Sequence, residues 1–245
     1  MSKIESAKYD ELKARIKPFD IIAFHSTFAA ASVIECCELL THCKGSCGCN
    51  SNEASLSNTK HKYLLENQFF PIHVGIVVSR AVLDVHLMKP GELYIFESTS
   101  SYHDTPDIFG KHKLGVQIRP LREVLECLHK TSPRGAVWCK LAKSPIDDNG
   151  KPLIDLSDFK TFFFEHHNDG YDLPCMLLKS ILPFWCCVCS CATEDRLFCS
   201  ELCVKVFQKV GLVEDTLDAE TINPESLFLR LDNKLPEIAE RVFIL

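Results

Sequence analysis

A cysteine at the start of a predicted helix is the first residue here whose position suggests chemistry. Cys199 immediately precedes a run in which apolar residues recur with helical periodicity. These residues are Leu202, Cys203, Val206, Phe207 and Val210. Gly211 follows them and is well suited to end a helix in the left-handed conformation. Because the free N–H groups and the positive dipole end of a first helical turn stabilise a thiolate, Cys199 is a candidate nucleophile.

Two further candidates for chemistry lie on predicted strands. Residues 71–78 are β-branched and flanked by turn formers, which is typical of a strand, and His73 lies near its start. Gly75 is on the same strand face as His73, so we expect another backbone or a substrate to approach closely there. A second predicted strand, residues 92–97, ends on the carboxylate of Glu97.

A thiol, an imidazole and a carboxylate together are the groups of cysteine-dependent hydrolysis. The thiolate attacks, the imidazole shuttles the proton and the third group orients the ring, in any order along the chain. Cys199, His73 and Glu97 would take these roles. Because an amide still orients the ring, Glu97→Gln is expected to lower turnover less than His73→Ala does. The alternative is structural: a strand histidine with satisfied hydrogen bonds, a solvated carboxylate and a small buried cysteine.

The surrounding elements predict an α+β fold, since several strands in sequence are followed by helices. We expect one domain over residues 1–245, because no repeat or linker divides the chain. Strands are predicted at 19–24, 71–78, 92–97, 115–119 and 136–141. Helices are predicted at 5–17, from Ser26 or Thr27 to about residue 40, after Pro120, from Ser157, from Cys199 and after Asn223.

Composition restricts the class of protein and the kind of partner. The chain is 46% hydrophobic and 24% charged, which are ordinary values for a soluble globular protein. A net charge of −6 and the absence of a Lys/Arg-rich run argue against nucleic acid as the partner. No apolar run reaches membrane-spanning length and the first residues lack a hydrophobic signal core, so we expect a cytoplasmic protein.

Half of the 14 cysteines lie in two predicted insertions, at about 41–62 and 183–196. The clustered cysteines are Cys43, Cys47 and Cys49 in the first, and Cys186, Cys187, Cys189 and Cys191 in the second. A disulfide framework is not expected without a signal peptide. The two clusters would bind zinc if they met, but together they do not supply the two Cys-x2-Cys motifs of a zinc ribbon. We therefore predict no metal site and no cofactor.

Three short segments, in this order, resemble a known family. They are residues 73–77 (His-Val-Gly-Ile-Val), 96–98 (Phe-Glu-Ser) and 198–202 (Phe-Cys-Ser-Glu-Leu). They are similar to the circularly permuted papain-like cysteine hydrolases, the YiiX-like branch of the NlpC-type superfamily, with members in poxviruses and other large DNA viruses. Residues 17–22 resemble the opening strand of that family, although Phe19 stands where glycine is usual. Residues 171–172 and 222–227 resemble its later segments.

The resemblance implies a half-barrel of antiparallel strands that carries His73 and Glu97, with the Cys199 helix packed against it. It also implies that Cys199 attacks an amide, ester or thioester carbonyl to give an acyl-enzyme, with His73 as base and Glu97 as the orienting group. The backbone N–H of Cys199 would stabilise the oxyanion. Tyr171 is a second candidate for that role, and a half-buried aromatic bonded to the backbone is the structural alternative.

Three functions remain open on this basis. The first is a thiol hydrolase of the amidase or peptidase type. The second is an acyltransferase or lipid hydrolase with the same triad. The apolar residues 181–185 would then contact lipid peripherally, and packing in the core is their alternative role. The third is a non-catalytic interaction protein whose cysteine clusters hold metal.

Overall fold

The computed structural model describes residues 5–25, 62–99, 105–130, 135–148, 150–171, 196–230 and 233–244. The helix predicted after Ser26 or Thr27 lies outside the described residues. The two insertions predicted at 41–62 and 183–196 also lie outside them, apart from Lys62 and Arg196. The described segments include those that carry His73, Glu97 and Cys199.

Nine strands occur in the described part of the chain. They are β1 (Glu5–Ala7), β2 (Ile21–Phe24), β3 (His73–Ser79), β4 (Leu93–Thr99), β5 (Gly115–Pro120), β6 (Ala136–Leu141), β7 (Gly170–Tyr171), β8 (Arg196–Leu197) and β9 (Ile238–Ile244). Seven of them form one sheet in the order β1-β9-β6-β2-β3-β4-β5, while β7 and β8 form a separate parallel pair. Within the large sheet β1 and β9 pair in parallel and the other pairs are antiparallel. The expected mixture of helices with an antiparallel sheet is therefore confirmed.

Six α-helices accompany the sheet in the described segments, besides a helical stretch at 62–67. They are α1 (Tyr9–Leu12), α2 (Arg80–Leu83), α3 (Leu121–His129), α4 (Ser157–His166), α5 (Cys199–Lys209) and α6 (Pro224–Leu229). Local residue types determine where two of these helices begin or end. At the start of α6 the Asn223 side chain accepts from the N–H of Ser226 at 2.7 Å, and after α5 Gly211 has φ 67°.

The sheet separates two apolar cores, because alternate residues of a strand point to opposite faces. On one face Ile76 of β3 packs in a cluster with Leu202 of α5 and Phe163 of α4. On the other face Val77 belongs to a second cluster with Leu121 of α3 and Leu12 of α1. Helix α5 is therefore held against β3 and β4 along its apolar stripe, which fixes the position of its first residue.

The first predicted helix is wrong for most of its length. Residues 5–17 were expected to be helical, but Glu5–Ala7 form β1 and only Tyr9–Leu12 are helical. The reason is long-range pairing, since β1 lies against the C-terminal strand β9 with Glu5 opposite Val242. Local periodicity contains no information about a pairing strand so distant in sequence. Tyr9 and Leu12 are nevertheless buried, as the periodicity predicts.

Phe19 adopts a backbone conformation that disfavours its own side chain. Its φ is 75°, in the left-handed region, which agrees with the expectation that this position suits glycine. Its N–H donates to the carbonyl of Val77 at 2.7 Å, so the turn is tied to β3. The ring is fully buried and packs edge-on against Phe159, with 5.1 Å between ring centroids. Burial of the ring therefore opposes the backbone strain.

We expect Phe19→Gly to destabilise the fold, because the lost packing exceeds the relieved strain. Truncating a buried phenylalanine costs about 3–5 kcal/mol. The left-handed conformation costs a non-glycine residue about 1–2 kcal/mol. The free energy of unfolding should therefore fall by about 2 kcal/mol, as measured by urea denaturation.

Phe19→Ala is the matched control for this prediction, since it loses the same ring and keeps the strain. It should be less stable than Phe19→Gly by about 1 kcal/mol, the reverse of the usual order of alanine and glycine. An alanine variant at least as stable as the glycine variant would contradict the strain at Phe19.

Candidate active site

Cys199 is the first residue of α5, directly after the extended Phe198. Its side chain is buried, with 3% of the residue exposed. Two hydrogen bonds hold the segment that leads into it. Ser98, next to Glu97 on β4, donates to the carbonyl of Leu197 at 2.6 Å, and Ser200 donates to the carbonyl of Ile222 at 2.6 Å. The helix start is therefore fastened to the strand that carries Glu97.

His73 is the first residue of β3 and connects the other two candidates. Its Nε2 lies 2.6 Å from Oε2 of Glu97 on the neighbouring antiparallel strand β4. Cys199 also interacts with the imidazole closely enough to raise the pKa of His73, through its charge and through hydrogen bonding. Because Nε2 is engaged by the carboxylate, Nδ1 is the ring nitrogen available to the sulfur. The ring packs beside Phe24, with 5.4 Å between ring centroids. The structure thus brings Cys199, His73 and Glu97 together.

Glu97 has a second partner that sequence reasoning missed. Arg119 of β5 donates from Nε to Oε1 of Glu97 at 2.8 Å, and its Nη2 contacts the same oxygen. Both side chains are only 1% exposed. The sequence of β5 could have indicated this partner, since Gln117 and Arg119 are polar residues at alternate positions of a buried strand. A buried arginine on such a strand requires a buried anion beside it.

The charge state of His73 follows from these contacts. Burial of the ring acts against its protonated form, but Cys199 and Glu97 outweigh burial and raise the pKa of His73 to about 9. The interaction with Cys199 contributes more than the one with Glu97. The site therefore favours an imidazolium at neutral pH, which is the partner that a thiolate needs.

Two other cysteines in the described segments, one on α5 and one on β6, lie within the apolar core. Cys203, one turn along α5, is fully buried, and burial raises the pKa of its thiol well above the usual range. Burial likewise raises the pKa of Cys139 on β6 to about 12. Both thiols therefore stay neutral and serve as small apolar side chains.

The space beside Gly75, where a side chain would lie, is filled by groups other than those expected. We expected a backbone or a substrate to approach there, but the side chains of Ile95 and Glu97 fill the space. A Cβ on Gly75 would lie 2.6 Å from Cδ1 of Ile95 and 3.1 Å from Cβ of Glu97. The glycine thus provides the room in which Glu97 lies beside His73.

Gly75→Ala should therefore weaken both the fold and the site. The added methyl group displaces Ile95 within its core and pushes Glu97, so the free energy of unfolding should fall by about 1–3 kcal/mol. Thermal unfolding measures the loss of stability, and turnover measures the displacement of Glu97. Adding Ile95→Val, which removes the closest methyl group, should recover part of the stability. A Gly75→Ala variant with wild-type stability and turnover would show that the space is not needed.

Tyr171, the second oxyanion candidate, is placed only through its backbone. It lies in β7, where it pairs with Leu197, two residues before Cys199. Its side chain lies outside what the structure describes, so its part in the oxyanion site stays a prediction. The cysteine clusters at Cys43–Cys49 and Cys186–Cys191 also fall outside the described residues. Among the residues that are described, no group of three or more His, Cys, Asp or Glu side chains is arranged to hold a metal ion.

Across the described segments, no helix has the length and apolar character needed to cross a membrane.

Two comparisons with known proteins find no relative of the chain. No protein-family model matches the chain. A search of curated proteins finds no significant match either.

Proposed function

We propose that the chain is a thiol hydrolase of the amidase or peptidase type, acting on an amide or ester carbonyl. One observation carries the proposal: Nε2 of His73 hydrogen-bonds the carboxylate of Glu97, while Cys199 interacts with the same imidazole and is the main group that raises its pKa. The placement of Cys199 at the start of α5 supports it, because the helix N-terminus favours a thiolate.

The chemistry would proceed in two steps. The sulfur of Cys199 attacks the carbonyl carbon, and the proton held by His73 passes to the leaving amine or alcohol as its bond to carbon breaks. In the second step His73 takes a proton from water, the resulting hydroxide attacks the acyl-thioester, and the sulfur of Cys199 leaves. Glu97 keeps the ring oriented in both steps. The backbone N–H of Cys199, in the first turn of α5, would stabilise the oxyanion.

We also propose that the fold is of the permuted papain-like type. An antiparallel pair of strands carries His73 and Glu97, and the helix that begins at Cys199 packs against those strands. The order of the three residues along the chain, with the cysteine last, agrees with the permuted arrangement. The left-handed φ of Phe19, where that family usually has glycine, supports the same alignment.

Alkylation tests the proposal without knowledge of the substrate. Wild-type protein is treated with iodoacetamide between about pH 5 and pH 8, and modification of each cysteine is followed by peptide mass spectrometry. Cys199 should react at mildly acidic pH, while Cys203 and Cys139 stay unmodified. His73→Ala should remove this acid-side reactivity. A Cys199 that reacts no faster than an ordinary thiol would overturn the proposal in favour of a non-catalytic protein.

Turnover should depend on pH through His73. The imidazolium is present below a pKa of about 9 and is lost above it, so the rate should fall as pH rises through about 9. The same shift affects stability: its contribution is complete below the unfolded value of 6.5 and is lost as pH rises through the folded value of about 9. Cys199→Ala removes the main group that raises this pKa, so the loss of stability between these values should shrink in urea titrations. An unchanged pH dependence of stability in Cys199→Ala would contradict this assignment.

Turnover of a panel of peptide, isopeptide and acyl-lipid substrates would then identify the class of acyl group. Release of fatty acid from a lipid ester, without cleavage of peptides or isopeptides, would favour a lipid hydrolase or acyltransferase instead.

A further inference from the structure

The two oxygens of Glu97 have separate partners. Oε2 lies 2.6 Å from Nε2 of His73, and Oε1 accepts from Nε of Arg119 at 2.8 Å. Both the arginine and the glutamate side chains are 1% exposed, so water does not screen this pair. The carboxylate therefore faces a cation on one side and the imidazole on the other.

This arrangement matters because the reacting pair next to Glu97 is itself charged. A lone buried carboxylate beside His73 would stabilise the imidazolium, but it would also repel a thiolate on Cys199. The guanidinium of Arg119 offsets the charge of Glu97 through Oε1, while Oε2 orients the ring. Glu97 then acts on His73 more through its hydrogen bond than through its charge.

The ionisable groups that the structure describes on α5 and after β2 have contacts or charge states of their own. On α5, the carboxylate of Glu201 accepts from the N–H of Phe198 and pairs with Lys205 at 2.8 Å. Cys203, on the same helix, is neutral. After β2, Nδ1 of His25 lies 2.9 Å from the carbonyl of Phe70.

We propose that Arg119 is a positioning residue of the site, which neutralises and fixes Glu97 so that His73 is oriented without a net charge beside the Cys199–His73 pair. This inference rests on the proposed thiol hydrolase function and assigns a role within the same site. Arg119 contacts neither Cys199 nor the substrate in this role. It acts on the protonation of the pair through Glu97.

The test is the pH at which alkylation of Cys199 by iodoacetamide reaches half its maximal rate, measured in four variants by peptide mass spectrometry. Arg119→Met leaves an unbalanced negative charge, so this half-point should rise by about one pH unit. Glu97→Gln leaves an unbalanced positive charge, so the half-point should fall by a similar amount. The double variant Arg119→Met/Glu97→Gln restores neutrality, and its half-point should return close to that of wild type. Arg122→Met is the matched control, because Arg122 pairs with Asp10 at the surface, and it should shift nothing.

The outcomes separate a charge-balancing role from a merely structural one. A structural arginine would lower stability in Arg119→Met without opposite shifts in the two single variants. If either single variant fails to fold, the double variant still decides, since it contains no unpaired buried charge. A half-point in the double variant about one pH unit away from wild type would overturn the inference.

A wild type without acid-side reactivity at Cys199 would overturn both the proposed function and this inference. A reactive wild type whose half-point is unmoved in Arg119→Met would overturn the role of Arg119 alone.

Discussion

Cys199→Ala is expected to abolish turnover while the fold persists. The substitution removes the nucleophile, and loss of one catalytic member of such a unit typically lowers kcat by about 10⁴-fold or more. Removal of a single sulfur should cost only about 1 kcal/mol of stability. His73→Ala should be nearly as severe, because it removes both the ion-pair partner and the proton shuttle. Turnover of any accepted substrate, with circular dichroism to verify folding, measures both effects.

Cys203→Ala is the control for this prediction. Cys203 lies one turn after Cys199 on the same helix and is fully buried, but the structure gives its thiol a packing role. It should lose some stability and little turnover. Should Cys199→Ala keep wild-type turnover, or should Cys203→Ala be the inactive variant, the assignment of the nucleophile would be wrong.

Glu97→Gln is expected to destabilise the protein strongly, an effect separate from the mild loss of turnover expected from the sequence alone. The amide can still orient His73, and that was the reason to expect a mild effect on turnover. The structure adds Arg119, whose guanidinium is buried and has Glu97 as its anion. Breaking a buried ion pair by removing one partner costs about 3–5 kcal/mol, because the other charge is left uncompensated. Urea denaturation should therefore show a far larger loss of stability than in Cys199→Ala.

A second substitution distinguishes this cause from the loss of the hydrogen bond to His73. Combining Glu97→Gln with Arg119→Met removes both charges, so the double variant should be more stable than Glu97→Gln alone. Glu97→Gln as stable as wild type would mean that Arg119 does not depend on Glu97. A double variant less stable than either single variant would show that lost packing, and not an unpaired charge, causes the loss of stability.

Local patterns in the sequence determined the elements that carry the candidate site. The β-branched run around His73, the strand that ends near Glu97 and the amphipathic run after Cys199 appear as β3, β4 and α5, within about two residues of the predicted ends. Such patterns are reliable because burial of one face imposes its period on neighbouring residues. The left-handed residue after α5, Gly211, follows from the same local chemistry.

Contacts between residues distant in the chain were decided only by the tertiary structure. Neither the pairing of β1 with β9 nor the filling of the gap at Gly75 by Ile95 has a local signal. The same holds for Arg119, whose polar side chain on a buried strand indicated that an anion was needed without indicating which one. Sheet register places that arginine near Glu97. Arg119 lies opposite Ile95 of the antiparallel strand β4, and Glu97 is two residues further along β4 on the same face. The sequence thus determined which residues have suitable chemistry, while strand pairing decided which charges are buried together and therefore how strongly each depends on its partner.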